Sequence, residues 1–156
     1  MTTIAVDKHS ISWDSQITKG NERVGSPARK VRVIDGVIFA LAGDYGRFDD
    51  LIQWWKAGAV EKKAPGGHWN FIVIQSPTHM LFYMSSDLPG LRFKPPFAMG
   101  SGEQFALGRL DAPGATARDA VKSATQHDVY TGGSVKTLRF DRVWPPVKKR
   151  SRAKLK

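Results

Sequence analysis

The chain has 156 residues, enough for one domain with a buried core. Its 41% hydrophobic and 24% charged content is ordinary for a soluble globular protein, and no apolar run approaches the roughly 20 residues of a membrane span. The absence of cysteine excludes disulfides, thiolate nucleophiles and cysteine zinc sites, and the net charge of +10 points toward polyanions.

In chain order, Thr3–Val6 and Ser10–Trp13 read as a hairpin around Asp7-Lys8-His9. Val31–Ile34 and Val37–Ala42 form a second hairpin, turned by Asp35-Gly36, the strongest short-range hairpin signal present. Phe48, Leu51, Ile52 and Trp55 fall at i, i+3, i+4 and i+7, which predicts an amphipathic helix over Phe48–Lys56, ended by Gly58. Trp54 beside Trp55 cannot share the centre of that apolar face, so it is expected near solvent or against a second subunit. Pro65-Gly66-Gly67 is a loop, Trp69–Gln75 and Met80–Ser85 a strand pair, and Pro89–Pro96 an irregular stretch.

Glu103–Leu110 fits a short helix. Thr116 is an N-cap with Asp119 three residues on, opening a helix to about Thr125 whose apolar face is Ala117, Ala120, Val121 and Ala124. Ser134–Phe140 alternates as a strand, and Pro145-Pro146 closes a domain over residues 1–144. Residues 145–156 are expected to be a disordered basic tail, because Lys148–Lys156 holds six cations and no anions. Weak, non-specific nucleic-acid contact through that tail is expected. A dedicated nucleic-acid domain is not, since no aromatic residues interleave with the basic ones. His9, His68, His79 and His127 show no metal-ligand spacing, so no metal is expected. No signal peptide or membrane span is visible, which points to the cytoplasm and away from membranes.

The N-terminus carries the most chemistry. Methionine aminopeptidases remove Met1 when the next side chain is as small as threonine, and Thr2 would then carry a hydroxyl and a free α-amine. That amine, with a reference pKa near 8, can take the hydroxyl proton, so the two groups form a nucleophile and its base.

Four further stretches stand in register behind this start: Ile11 to Thr18 with its Asp14-Ser15-Gln16 run, Ala28-Arg29-Lys30-Val31, Gly100-Ser101-Gly102, and Asp128-Val129-Tyr130-Thr131-Gly132-Gly133. Together they resemble the proteasome β-subunit family, especially its HslV-type branch, over about residues 2–140. The resemblance implies an α+β, four-layer αββα sandwich of two antiparallel sheets, the N-terminal-nucleophile (Ntn) hydrolase fold. One helix layer is reduced, because only one helix fits between Leu51 and Trp69.

It also implies roles. Thr2 is the nucleophile; Lys30 stabilises its alkoxide and lowers the pKa of the amine. Asp14 pairs with Lys30, and Gly43 offers the oxyanion-hole N–H. Ser101, Asp128 and Thr131 match the residues that hold the amine and a catalytic water, with Thr131 in place of the family's usual serine. Thr18 matches the residue that binds a substrate held as an added strand. Ile17, Ala28, Arg32, Leu41 and Tyr45 fall near the pocket for the substrate side chain, and their mixed character names no preferred residue. Asp14 follows Thr2 by twelve positions, about four fewer than in longer family members; a loss of two residues per hairpin arm preserves the facing.

The activity implied is a threonine endopeptidase or amidase acting on peptide or protein substrates through an acyl-enzyme, with no cofactor. A homo-oligomeric ring and an ATPase partner belong to the same implication. Two alternatives stay open: a non-catalytic structural or assembly subunit, and a nucleic-acid-associated protein acting through its tail.

Overall fold

The computed structural model describes residues 1–25, 29–59, 63–84 and 89–147. Ala28 and the tail Lys148–Lys156 lie outside the described residues, as does the end of the expected strand at Ser85.

Strand alternation builds the architecture. One sheet contains β1 (Thr3–Val6), β2 (Ser10–Asp14), β10 (Phe97–Gly100) and β11 (Val135–Arg139), in the order β10-β1-β2-β11. The other contains β5 (Val31–Ile34), β6 (Val37–Gly43), β7 (Trp69–Ser76), β8 (His79–Met84) and β9 (Leu91–Arg92), in sequence order. Every pairing in both sheets is antiparallel. A small separate hairpin joins β3 (Thr18–Lys19) to β4 (Glu22–Arg23).

Successive strand side chains point to opposite faces, so each sheet is apolar on both sides and needs two partners. On β6, Ile38, Ala40 and Ala42 face a core between the sheets with Ile4, Val6, Ile72 and Met99. Phe39 and Leu41 face the other way, into a core with Phe71, Val73 and the helix α1 (Phe48–Lys56). On β1, Ala5 faces a third core with Ala106 of α2 (Glu103–Leu110) and Ala117, Ala120 and Val121 of α3 (Ala117–His127). Three cores separate four layers, α1, sheet, sheet and the α2–α3 pair: the expected αββα sandwich. Small side chains on α3 let it lie close on the sheet, and its N-terminus carries the expected capping box of Thr116 and Asp119.

The Asp35-Gly36 turn forms as read, both residues at positive φ (51° and 73°) as a type I′ turn requires. Among the described residues no helix lies between Lys56 and Trp69, in keeping with a reduced outer layer. None of the described helices is long and apolar enough to cross a membrane.

Trp54 departs from expectation. It packs back onto the sheet, its ring 5.4 Å from Tyr83 and 6.3 Å from Trp69, while Trp55 meets Phe39 edge-on at 5.4 Å. Position 54 sits at the flank of the apolar arc, but an indole is long enough to reach the sheet from there. The ending of the Ser134–Phe140 strand also differs: it stops at Arg139, and Phe140–Val143 turns into a short helix, α4, that buries Phe140.

Phe71 is fully buried and its ring meets Phe39, Phe48 and Tyr83. Phe71→Ala should therefore cost about 3–5 kcal/mol, measured as a lowered urea midpoint with an unchanged slope.

Candidate active site

Thr2 precedes β1, and its face is set by the strand that follows. Thr3 and Ala5 point to the α2–α3 side, whereas Ile4 and Val6 point between the sheets; by the same alternation Thr2 points to the mouth of the sandwich. Its carbonyl is fixed by the Ser101 N–H at 2.9 Å. That approach requires glycine at position 100: φ is +103°, and a Cβ there would sit 1.8 Å from the Thr2 oxygen.

A cleft of about 160 Å³ opens at this point, lined by Met1, Thr2, Gln16, Ile17, Thr18, Lys30, Leu41, Gly43, Asp44 and Tyr45. Beneath it lies a buried ion pair. Lys30 is 2% exposed and Asp14 fully enclosed, and the Lys30 Nζ donates to Asp14 Oδ1 at 2.9 Å and to the Gln16 carbonyl at 2.6 Å. Asp14 also accepts the Thr3 N–H at 2.9 Å, the Gly132 N–H at 3.1 Å and the Gln16 N–H at 3.3 Å. Burial pushes the Lys30 ammonium below the ordinary lysine range, an effect that the Asp14 charge opposes.

Behind Thr2 stands a hydroxyl relay. Asp128 accepts from the Ser101 hydroxyl at 2.6 Å, from the Thr131 hydroxyl, and from the Tyr130 N–H at 3.1 Å. Thr131 gives its one proton to the carboxylate, so Thr3 Oγ1, 2.6 Å away, donates to Thr131 and accepts the Gly102 N–H at 3.1 Å. Partial burial alone would raise the Asp128 carboxyl, but the Ser101 and Thr131 hydroxyls, the Tyr130 N–H and the positive N-terminus hold it below the usual range.

Gly43 ends β6 at the rim of the cleft. Its φ is +116°, and a Cβ would lie 2.3 Å from the His68 carbonyl oxygen, so only glycine fits. Asp44, next in the chain, clamps the same segment: its N–H donates to the His68 carbonyl and its Oδ2 accepts the His68 N–H, both at 2.9 Å.

Of the thirteen residues expected to form the site, Thr2, Lys30, Gly43, Ile17, Thr18, Leu41 and Tyr45 line the cleft. Asp14 lies directly beneath, and Ser101, Asp128 and Thr131 stand together behind Thr2. Arg32 does not line the cleft. Its guanidinium lies 4.3 Å over the Phe48 ring and pairs with Asp49, on the face of β5 opposite Val31. Two lining residues carried no sequence expectation, Gln16 and Asp44. Gln16 lies between the ends of β2 and β3, two positions from both Asp14 and Thr18, a spacing that could have found it; Asp44 has no local signal. Among the described residues no group of three or more His, Cys, Asp or Glu side chains is placed to hold a metal.

The Met1 ammonium also sits here, donating to Thr18 Oγ1 at 2.9 Å. Burial, and then the Lys30 charge, lower its pKa below the ordinary amine value; Asp14 and Asp128 act in the opposite sense.

No protein-family model matches the chain, and no curated protein does. Solved structures do. BPH of Thiobacillus denitrificans in complex with epoxomicin superposes with a TM-score of 0.65 at 17% identity, over 88% of this chain and 96% of that one. Eukaryotic HslV from Trypanosoma brucei gives 0.64 at 22% identity, over 88% and 98%. A second structure of Thiobacillus denitrificans BPH gives 0.63 at 17%, over 88% and 96%. At these identities the likeness is one of fold, and it spans nearly the whole of each neighbour.

Two outcomes follow from the geometry. Lys30→Ala leaves the Asp14 carboxylate enclosed without its cation and should destabilise the fold by about 3–5 kcal/mol, tempered by the three backbone donors that remain. Asp128 has its pKa depressed in the folded chain, so its contribution is complete above the unfolded carboxylate value near 3.9 and is lost as pH falls through the lower, folded value. Unfolding midpoints should fall with acidification below about pH 4, and Asp128→Asn should remove that part of the slope.

Proposed function

We propose that the chain is a threonine-type N-terminal-nucleophile hydrolase of the proteasome β-subunit and HslV class, activated by removal of Met1. The observation that carries this reading is the enclosed Lys30–Asp14 pair set under the cleft that Thr2 and Gly43 line. A buried lysine held by one aspartate and one carbonyl is costly to maintain, and a cation at a developing alkoxide is what a threonine nucleophile needs.

The reaction is acyl transfer from a peptide or amide. The Thr2 hydroxyl attacks the substrate carbonyl while the freed Thr2 amine accepts its proton. The Lys30 ammonium stabilises the alkoxide, and the Gly43 N–H stabilises the oxyanion, a donor worth about 3 kcal/mol in the transition state. The leaving amine takes the proton, and water then hydrolyses the ester, with Ser101, Asp128 and Thr131 orienting the amine. Burial and the Lys30 charge lower the pKa of the Met1 ammonium, and a Thr2 amine freed beside the same lysine would be shifted in the same sense, toward the proton-accepting form.

Homo-oligomeric assembly belongs to this reading; the half-buried Trp54, whose indole lies against Trp69 and Tyr83, keeps part of its ring for such a contact. The decisive experiment pairs intact-mass measurement with labelling by a peptide epoxyketone. Active protein should lack Met1 and carry one label on Thr2, and Thr2→Ala should abolish labelling. Quantitative retention of Met1 in active protein would refute the mechanism. Lys30→Ala protein that is still folded should lose at least 10²-fold in turnover, read with a fluorogenic peptide.

A further inference from the structure

We propose that the cleft selects substrates with a cationic side chain, lysine or arginine, on the acyl side of the scissile bond, and that Asp44 is the residue that selects them. The inference rests on the hydrolase reading and adds a substrate class to it.

Placement comes first. If the Gly43 N–H holds the scissile carbonyl oxygen, the side chain one bond away from that carbonyl falls beside Gly43, within reach of its neighbours. Those neighbours in the cleft are Leu41, Asp44, Tyr45 and, from the facing segment, Ile17. The space, about 160 Å³, suits one side chain rather than a larger ligand.

Charge decides the preference. Of the cations near the cleft, Lys30 is neutralised by Asp14, and Arg32 by Asp49 on the α1 side. Arg47 pairs with Asp50, and Arg29, which is exposed, is not among the lining residues. Asp44 lines the cleft, is exposed, and pairs with no lysine or arginine among the described residues. Its Oδ2 is committed to a neutral donor, the His68 N–H, which leaves the carboxylate charge uncompensated at the rim. An uncompensated carboxylate beside an oxyanion hole opposes the charge that develops there. A substrate cation at the same place relieves that opposition and forms a charge-assisted bond.

The walls fit the rest of such a side chain. Ile17 offers apolar surface to an aliphatic stem, and the Tyr45 ring, about one-third exposed, offers a face to a guanidinium or ammonium. A glutamate in the same place would be repelled, and a leucine would leave Asp44 as it is.

The test uses processed, full-length protein and fluorogenic peptides that differ only in the residue before the cleaved bond: Arg, Lys, Leu or Glu. Arg and Lys substrates should exceed Leu and Glu by at least tenfold in kcat/KM at physiological salt. Asp44→Asn keeps an oxygen for the His68 N–H but removes the charge, and should collapse the Arg-to-Leu ratio at least fivefold; Asp44→Ser should do the same. Equal or preferred cleavage after Leu or Glu overturns the inference, as does a ratio unchanged in both variants. Wild-type protein that cleaves none of the peptides and takes no epoxyketone overturns the hydrolase reading and this inference with it. Labelled, active protein without the cationic preference overturns this inference alone.

Discussion

The enclosed contact between Lys30 and Asp14 is the constraint on which the rest of the site depends. Asp14 collects four donors from four separate parts of the chain: the Thr3 N–H on β1, the Gln16 N–H after β2, the Gly132 N–H before β11, and the Lys30 ammonium before β5. One carboxylate therefore ties β2 to both of its neighbours, β1 and β11, and to the facing sheet at a common point. A buried charge pair seldom stabilises a fold better than apolar side chains of the same volume would. Its value here is positional, because it fixes a cation beneath Thr2 at a place where the two sheets meet.

Two adjacent threonines divide the work because a strand alternates. Thr3 turns toward α3 and enters the hydroxyl relay with Thr131, Asp128 and the Gly102 N–H. Thr2, one residue earlier, takes the opposite face and reaches the cleft. A one-residue slip in β1 would exchange the two environments, placing a β-branched side chain with no outlet against Ala124 and Thr131. The register Thr3↔Gly100 and Ile4↔Trp13 is thus as much a part of the chemistry as any side chain. The close approach of Gly100 to the Thr2 carbonyl holds that register from one side and the bond from Thr3 to Asp14 from the other.

Local signals carried most of the fold. The Asp35-Gly36 turn, the Thr116–Asp119 capping box and the i, i+3, i+4, i+7 face of α1 each depend on residues within one or two turns of one another, so they are readable in a single sequence. β10 was not, because its four residues follow two prolines and become a strand only by pairing with β1, about a hundred positions away. The β3–β4 hairpin is two polar residues per strand, too short for periodicity to register. The Trp54 placement failed for a different reason. Helical geometry gives the direction of the Cβ correctly, but not the reach of an indole into space that a missing helix leaves open. In the site, motif spacing brought Thr2, Asp14, Lys30, Ser101 and Asp128 together, whereas Arg32, whose place depends on α1, lies over the Phe48 ring and pairs with Asp49.

Asp44 shows what a motif cannot carry. Nothing in Gly43-Asp44-Tyr45 marks the aspartate as more than a loop residue, and its position becomes chemical only because β6 ends against the start of β7. There the His68 backbone takes both hydrogen bonds that Asp44 can offer locally, one as acceptor and one as donor, and the same carbonyl excludes any Cβ at position 43. The clamp that fixes the backbone of Gly43 therefore also brings a negative charge to the edge of the place where an oxyanion would form. A loop tie that needed only an acceptor could use serine or asparagine at no electrostatic cost. A carboxylate at this position makes physical sense when something positive comes to sit beside it; Lys30, Arg32 and Arg47 are already held by Asp14, Asp49 and Asp50, and the exposed Arg29 is not among the lining residues. The remaining candidate is one that arrives with the substrate.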